Sequence, residues 1–386
     1  MLDIDLTENG VRLPKRQSAP ESFNSTEDVN EAGAWTLKTS LDRFDPAKEL
    51  DLVGRVDAFG IISTNRKTLR VQSGRFDEVT VDYLTGEVTL AGYLHTEMLD
   101  NRIAVPSPDQ PVPASGKYVT STWHVNNDIV DALRDVINQN ARPSAPSGRG
   151  IPNLTITTSY DSPSRLVPVE FVSEYDSLLE LASKYGTPAN VSVRITCDGT
   201  GNYLCEVREG VIREQVVFAP ETGGLSKAKA TFRADTGNTY LALGQGDAPD
   251  QIHRWSTIPL AEGVQRRERL TKGASPETDA TDAQKLQLLL EAARREREED
   301  RGGRVLEVEL GESQWKFGTD FDLGDLVTVI AGRLNELVAV RSVRTSLKGG
   351  EFHEVFQTGA TTVSTDLLGS HVKRTNAKIK SLGVRQ

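Results

Sequence analysis

The chain has 386 residues, a formal net charge of −10 and only 6% aromatic residues. This length exceeds what one hydrophobic core usually supports, so we expect two to four domains. The acidic balance argues against a dedicated nucleic-acid-binding protein, which would present a basic face to the phosphates.

The first part of the chain is predicted to be an N-terminal arm followed by a β domain. Residues 1–34 are polar and irregular, and they lack the basic-then-apolar order of a secretory signal, so we expect an extended arm on a protein made in a cytoplasm. Residues 35–118 contain short alternating strands separated by glycines, a pattern typical of a barrel or sandwich. The proline-rich segment 105–116 ends this domain. No apolar run approaches membrane-spanning length.

Residues 119–222 are predicted to form a small α+β domain. A first helix has Asn127 as its N-cap. A second helix covers residues 175–186, from an acidic cap to Gly186, and three strands follow as an antiparallel meander. The apolar face of the first helix recurs at helical spacing and consists of Ile129, Val130, Leu133, Val136 and Ile137.

The two cysteines, Cys197 and Cys205, are expected on neighbouring strands of a hairpin that turns near Asp198-Gly199. That placement leaves a disulfide open, but a cytosolic origin favours two reduced structural thiols. Two cysteines alone do not make a zinc site.

Residues 223–360 are predicted to form a second β domain with an inserted helix, 279–301. Thr281 and Gln284 form a possible capping box, and the charged run at residues 294–300 is either a solvated helix end or a face for a partner. The tail, residues 361–386, is either a weakly basic amphipathic helix that docks on a neighbouring subunit or a frayed terminus. The apolar stripe predicted for the inserted helix comprises Ala283, Leu286, Leu289, Leu290 and Ala293.

Within this domain, residues 315–329 read WKFGTDFDLGDLVTV; we call them the acidic segment. Short Asx side chains and glycine form turns, and the β-branched run that follows has strand chemistry, so the segment is predicted to be a hairpin. Calcium binding by Asp320, Asp322 and Asp325 is the alternative. Their spacing does not fit the twelve-residue calcium loop, which favours an ordinary turn.

The sequence offers no catalytic, cofactor-binding or metal-ligating residue that we would assign. None of its five histidines lies at a metal-binding spacing, and a Gly-x-Ser-x-Gly elbow is missing. His95 could pair with Glu97, and His253 is expected to pack beside Trp255. Gly244-Gln245-Gly246 is predicted to be a turn and not a phosphate loop, so we predict a protein that is not an enzyme. The five histidines are His95, His124, His253, His353 and His371.

Several segments, taken in order, resemble the tail-hub (baseplate-hub) proteins of long-tailed bacteriophages, in particular the minor tail proteins of actinobacterial siphophages. The similarity covers most of the chain from Trp35 to about residue 345, and it rests on the order of the segments. They are TLAGYLHTEMLDNRIAVP at 89–106, FVSEYDSLLELASKYG at 171–186, NTYLALGQGDAPDQIHRW at 238–255, RRERLTK at 266–272 and DFDLGDLVTV at 320–329.

This resemblance implies a mainly β fold in which two tube-like β-barrel domains flank a small α+β domain. It implies a structural virion protein, a homotrimer at the distal end of the tail tube whose six barrels match a sixfold ring and form part of the DNA channel. The implied partners are a distal tail or tail tube protein, tail tip or fibre proteins and the tape measure protein, without sequence-specific nucleic-acid binding.

Two other functions stay open at this point. Some phage hubs carry a cell-wall hydrolase domain, which release of peptidoglycan fragments would reveal. A carbohydrate-binding tail module would bind glycans as an isolated monomer, whereas a hub forms trimers.

Overall fold

The computed structural model of the protein describes residues 2–8, 11–18, 21–43, 57–58, 61–63, 72–75, 77–105, 123–145, 148–159, 169–173, 175–222, 224–233, 237–244, 251–257, 263, 265–272, 282–299, 303–310, 314–348 and 351–359. The chain divides into two compact units. The large unit comprises Met1–Ala228 and Glu307–Gln386, and the small unit comprises Lys229–Leu306. The domain limits predicted from the sequence do not follow this division, since the predicted domain 223–360 contains all of the small unit and part of the large one, and they stay a prediction.

Among the described residues, nine strands precede the helix at Glu97–Asp100 (α1). They are Leu2–Glu8 (β1), Val11–Ser18 (β2), Ser22–Asp28 (β3), Ala34–Ser40 (β4), Asp57–Ala58 (β5), Ile61–Ser63 (β6), Gly74–Arg75 (β7), Glu78–Asp82 (β8) and Glu87–Tyr93 (β9).

The middle of the chain alternates helices and strands. Its elements are Glu97–Asp100 (α1), Trp123–Asn127 (β10), Ile129–Ala141 (α2), Leu154–Ser159 (β11), Val169–Ser173 (β12), Leu178–Leu181 (α3), a π-helical turn at Ala182–Gly186, Val191–Cys197 (β13), Tyr203–Glu209 (β14), Ile212–Phe218 (β15) and a 3-10 turn at Pro220–Thr222.

The last part returns to strands around one long helix. Its elements are Leu225–Arg233 (β16), Thr239–Leu243 (β17), His253–Thr257 (β18), Glu268–Lys272 (β19), Asp282–Glu299 (α4), Gly303–Leu310 (β20), Leu326–Ala331 (β21), Leu334–Lys348 (β22) and Glu351–Gly359 (β23).

One ten-stranded sheet joins both ends of the chain. Its main path runs β16-β20-β23-β22-β3-β4-β9-β8, and β21 branches from β22 to pair with β15. The β3 strand therefore lies inside the sheet, where Ser346 of β22 is opposite Asn24 and Leu37 of β4 is opposite Phe23. Smaller sheets are β2-β1-β6, β10-β12, β11-β14-β13 and β5-β7.

Strands β1, β2 and β3 all fall within the segment for which the sequence predicts an irregular arm, and here the structure differs. Strand β3 shows the reason. The strand buries Phe23, Ser25 and Glu27 on its inner face. Two of these three are polar, so a hydrophobicity pattern does not indicate a strand. Gln72 makes their burial possible, because it donates to Glu27 at 3.1 Å and accepts from the Ser25 hydroxyl at 3.0 Å.

Strand β9 shows why glycine is needed at one position of the sheet. Its alternating pattern buries Val88 and Leu90, and Gly92 follows on the same face. A Cβ atom at Gly92 would lie 1.8 Å from the carbonyl oxygen of Arg75. Only a residue without a side chain permits this approach of two backbones.

The α+β part of the large unit has an apolar core around α2. The predicted apolar face of this helix is confirmed, because Leu133, Val136 and Ile137 are fully buried and Ile129 and Val130 nearly so. Val193, Cys205 and Val207 of β13 and β14 belong to the same core, as do residues of α3.

Both helix caps differ from those predicted. Asn127 ends β10, and it is Asp128 that caps α2 by accepting from the backbone N–H of Asp131 at 2.9 Å. Ser177 caps α3 by accepting from Glu180 N–H at 3.0 Å, so the cap is a hydroxyl and not an acid. Both residue types satisfy helix N–H groups well, and neighbouring candidates are hard to separate by sequence.

The predicted antiparallel meander is correct only for its first two strands. Strands β13 and β14 pair antiparallel, with Ile195 opposite Cys205, whereas β11 lies parallel to β14 on its other side. Strand β15 leaves this sheet and pairs in parallel with β21. The acidic segment, which continues into β21, supplies the contacts that hold β15 there.

The described residues of the small unit include a three-stranded sheet and the helix α4. The strand order is β18-β17-β19, and Tyr240 and Ala242 of β17 pack against Leu289 and Ala293 of α4. The predicted inserted helix is confirmed, although it covers Asp282–Glu299, and the proposed cap at Thr281 lies outside the described residues. So do Gln245 and Gly246 of the predicted turn, most of the proline-rich connector and the tail 361–386.

Strands and antiparallel pairings dominate the described residues, which confirms the predicted mainly β fold with an α+β part. Among these residues, no helix has the length and apolar character needed to cross a membrane.

Candidate functional site

The acidic segment forms two tight turns followed by a strand. In the first turn, Gly318 has φ +78° and donates to Phe321 O at 2.8 Å, while the backbone N–H of Lys316 donates to Asp320 at 2.8 Å. In the second turn, Asp325 N–H donates to Asp322 O at 3.0 Å. The predicted turns and strand are confirmed, but the hairpin itself is made by β21 with the downstream β22.

Aromatic side chains anchor the acidic segment in the large unit. Phe321 is almost fully buried and packs edge-on against Phe218 of β15, with ring centroids 5.5 Å apart. Phe317 stacks on Phe356 of β23 at 5.0 Å. The indole N–H of Trp315 donates to Val217 O at 3.0 Å. The segment therefore connects β15 to β23 through aromatic side chains at its first turn.

Asp325 is the buried carboxylate of the segment, with no exposed surface. It pairs with Arg208 of β14 and accepts from Arg213 Nε of β15 at 2.7 Å. The backbone N–H groups of Val211 and Asp322 each donate to it at 3.0 Å. A buried carboxylate without such partners would be strongly destabilising.

The backbones meet closely at the same place. A Cβ atom on Gly210, between β14 and β15, would lie 1.9 Å from Gly324 O. Gly324 itself has φ +84°, which side chains rarely adopt. Two glycines therefore allow the arginines of β14 and β15 to reach Asp325.

Arg194 of β13 holds a second set of carboxylates. Its guanidinium lies 3.2 Å from Glu206, 3.4 Å from Asp322 and 3.8 Å from Glu27. Burial alone would lower the pKa of Arg194, but the charges of Asp322, Glu27 and Glu206 outweigh it and raise the pKa above its ordinary value. Arg194 is therefore a permanent cation between three anions.

We call these groups together the charge cluster. A small cleft is lined by five of them, Glu27, Arg194, Glu206, Arg208 and Asp322, together with Asp28, Val29, Thr96, Ser192, Val193 and Leu323. The Thr96 hydroxyl accepts from Ile195 N–H at 3.1 Å, and the Ser192 hydroxyl lies 3.4 Å from Arg208 O. The charge cluster consists of Glu27, Arg194, Glu206, Arg208, Arg213, Asp322 and Asp325.

The charged groups at this cleft have a structural role, because they hold neighbouring strands together. The hydroxyls are engaged with the backbone, and the arginines and carboxylates satisfy one another, so none is positioned as a nucleophile with a base beside it. The three aspartates of the calcium alternative have separate partners: the Lys316 backbone for Asp320, Arg194 for Asp322 and arginines for Asp325. Within the described ranges, no group of three or more potential ligands could hold a metal.

No histidine is among the residues that line the cleft. Nδ1 of the buried His95 is 2.7 Å from the Ser73 hydroxyl, and Glu97 pairs with Arg75 at 2.9 Å, so the suggested His95–Glu97 pair stays a prediction. His253 is exposed, and it is Arg266 that lies over the Trp255 ring, at 5.2 Å. His371 lies outside the described residues.

The two cysteines are free and buried on β13 and β14, which confirms the prediction of two structural thiols. Burial, and to a smaller extent the charge of Glu206, raises the pKa of the Cys205 thiol to about 12. A thiol with this pKa is a poor nucleophile at neutral pH.

Sequence reasoning missed the arginines of the charge cluster. Arg208 and Arg213 lie more than 110 positions from Asp325 in the chain, and no motif connects them. One signal was present, since an aspartate directly ahead of the apolar run LVTV is well placed to become buried and then needs a cation.

The chain is similar to a known protein family and to solved structures. The model of the family described as Siphovirus ReqiPepy6 Gp37-like protein matches residues 6–355. No curated protein matches the chain.

Two solved structures share the fold. The tail protein from Neisseria meningitidis MC58 is 11% identical, with 93% of this chain and 96% of that chain covered and a TM-score of 0.53. The 43 kDa tail protein of prophage MuSo2 from Shewanella oneidensis is 14% identical, with 93% and 98% covered and the same TM-score. At these identities the likeness concerns the fold alone, but the family match extends over nearly the whole sequence and confirms the predicted resemblance. The chain belongs to the Siphovirus ReqiPepy6 Gp37-like protein family, a family of siphovirus tail proteins.

Proposed function

We propose that this protein is a structural component of the virion, the tail hub of a siphovirus. It forms a homotrimer at the distal end of the tail tube. There it adapts the sixfold tube to the threefold tail tip and forms part of the channel through which DNA leaves. Its neighbours are a distal tail or tail tube protein on one side and tail tip or fibre proteins on the other, with the tape measure protein inside.

The observation that carries this proposal is the extent of the fold likeness. Two proteins described as tail proteins match over 96% and 98% of their own lengths, and the family match is a siphovirus family. A likeness over whole chains supports a shared architectural role more strongly than a likeness of one domain would.

A threefold adaptor needs subunits that each offer two similar surfaces to a sixfold ring. Two tube-like barrels per subunit meet this requirement, because three copies then present six barrels. The net charge of −10 suits a channel wall, since an acidic lining repels DNA phosphates and allows passage without adhesion.

A non-enzymatic role agrees with the charge cluster. The buried Asp325 and the half-buried Arg194 are satisfied by partners from other strands. These contacts connect β13, β14 and β15 to the acidic segment, so they serve the assembly of the large unit.

Oligomeric state and position in the virion test the proposal. Light scattering on the purified chain is expected to give three times the 42.2 kDa monomer mass, and cryo-electron microscopy of tails is expected to place three copies at the distal end. A monomer absent from tails would refute the hub. Release of peptidoglycan fragments by the purified chain would contradict the non-enzymatic role.

A further inference from the structure

The hairpin of β8 and β9 carries an exposed apolar tip. Leu84 is 99% exposed and Tyr83 is 77% exposed. Both lie in the turn between Asp82 and Glu87, the last paired residues of the two strands. Large apolar side chains in such positions commonly mark a contact with another molecule.

This tip is held in one conformation. Asp82 accepts from the backbone N–H groups of Leu84 at 2.8 Å and Thr85 at 3.2 Å. Gly86, with φ +74°, donates to Asp82 O at 2.8 Å. A rigid tip loses little conformational entropy when it binds, so its apolar surface contributes more fully to affinity.

The small unit has an exposed apolar face of its own. Leu241 of β17 lies opposite Trp255 of β18 and opposite Leu270 of β19, so the three side chains form one row across the sheet. Neighbouring Tyr240 and Ala242 point to the other face, where α4 covers them. Leu270 is 63% exposed and Trp255 is 40% exposed.

The two surfaces carry opposite charge. Residues 77–93, which contain the hairpin, include four carboxylates; Arg75 pairs with Asp77 at 3.0 Å and Lys38 with Glu87 at 2.7 Å, so Glu78 and Asp82 are the two nearest the tip that these cations do not hold. On the small unit, Lys272 lies two positions from Leu270 and so on the face of the row, and Arg266 lies over the Trp255 ring and pairs with Glu268 at 2.7 Å. Arg254 and Arg269 lie opposite Ala242 and Tyr240, so they alternate to the other face.

We propose that the Tyr83–Leu84 tip of one copy docks on the Trp255–Leu241–Leu270 row of a second copy. The apolar tip meets the apolar row, while Glu78 and Asp82 approach Arg266 and Lys272 beside it. The proposal rests on the homotrimer proposed above. Because the two surfaces differ, the contact is head-to-tail and generates a closed ring when each copy is rotated by a third of a turn.

A second copy is the occupant that these observations favour. Each surface has a complement on the same chain, apolar to apolar and acidic to basic, so a second identical copy can supply the partner. Apolar anchors surrounded by opposite charges are the usual composition of a specific contact. The exposed arginine that stacks on Trp255 adds a cation directly beside the row.

Polar substitutions test each surface. Leu84→Ser and Leu270→Ser are each expected to raise the dissociation constant of self-association at least about tenfold, measured by sedimentation equilibrium. Leu204→Ser is the matched control, because Leu204 is also a strand leucine and is 42% exposed but belongs to neither surface. An unchanged dissociation constant in both test variants would overturn the inference.

A charge exchange tests the pairing. Glu78→Arg and Arg266→Glu are each expected to weaken association, and a mixture of the two single variants should associate better than either alone. Disulfide formation between a Leu84→Cys copy and a Leu270→Cys copy gives a direct readout as a covalent dimer. The natural thiols are buried and do not interfere.

The outcomes separate this inference from the hub proposal. A wild-type monomer would refute the homotrimer and this contact together. A wild-type trimer that is insensitive to both leucine substitutions and forms no mixed disulfide would refute the contact alone. A Leu84→Cys/Leu270→Cys chain that forms its disulfide only within one chain would refute a second copy as the occupant.

Discussion

The apolar core around α2 and the charge cluster around Asp325 stabilise the same unit by different means. The core is built from residues that repeat at helical spacing within one helix and on the strands beneath it. The cluster joins residues from β3, β13, β14, β15 and the acidic segment. An apolar side chain can pack against many kinds of apolar neighbour, whereas a buried charged group requires an oppositely charged partner. The core therefore tolerates change gradually, and the cluster specifies which strands meet.

The largest effect is expected from removing the central anion of the cluster. Asp325→Ala leaves Arg208 and Arg213 without their carboxylate in a buried site, so we expect a loss of about 3–5 kcal/mol in the free energy of unfolding. Urea denaturation measures it. Asp320→Ala is the control, since that carboxylate accepts one backbone N–H near the surface and should cost less than about 1.5 kcal/mol. Equal losses in both variants would contradict the special role of Asp325.

A cavity in the core should have the next largest effect. Leu133 is fully buried, and Leu133→Ala is expected to cost about 3 kcal/mol through lost burial and an unfilled cavity. Asn138→Ala, at an exposed position of the same helix, should change stability by less than about 0.5 kcal/mol. If the apolar core and the charge cluster are energetically independent, the losses of unfolding free energy caused by Leu133→Ala and Asp325→Ala should add in the double variant. A deviation from additivity above about 0.5 kcal/mol would show that the two regions are coupled.

The reactivity of the Cys205 thiol measures how readily the apolar core opens to solvent. Because burial raises the pKa of Cys205 to about 12, alkylation at pH 8 is expected to be at least about 100-fold slower in the native protein than in urea, equivalent to about 2.7 kcal/mol. Mass spectrometry over a time course measures the two rates. Rapid native labelling of Cys205 would show that β14 opens readily.

A carboxylate near the surface gives the smallest effect. Burial acts to raise the pKa of Asp198, but hydrogen bonds from Thr200 and Asn202 outweigh it and lower the pKa to about 2. The ionised form therefore stabilises the fold fully above the unfolded pKa of about 3.9, and this contribution is lost as pH falls through about 2.

Asp198→Asn should thus destabilise the protein by no more than about 1 kcal/mol at pH 6, because solvent weakens exposed charge interactions. The difference from wild type should shrink between about pH 4 and pH 2, as followed by urea midpoints. A difference that grows on acidification would show that the sign is wrong.

The sequence predicted the apolar core around α2 better than it predicted the charge cluster. The face of α2 was predictable because its apolar residues repeat locally, and the strand β21 because of its β-branched run. Strand β3 was not, since Ser25 and Glu27 are buried by virtue of Gln72, a residue far away in the chain. The partners of Asp325 and the pairing of β15 with β21 depend on the tertiary arrangement, which local sequence propensity does not determine.

The pairing of β3 with β22 has a consequence for the order of biosynthesis. Asn24 and Ser346 lie opposite each other although about 320 residues separate them. At about 5–20 residues per second on the ribosome, the second strand emerges roughly 16–65 seconds after the first. The α+β core, whose residues are all complete by Val207, can form in that interval. The central sheet instead closes only after β22 has emerged, and until then β3 is paired with β4 alone and has an open edge that needs protection from other chains.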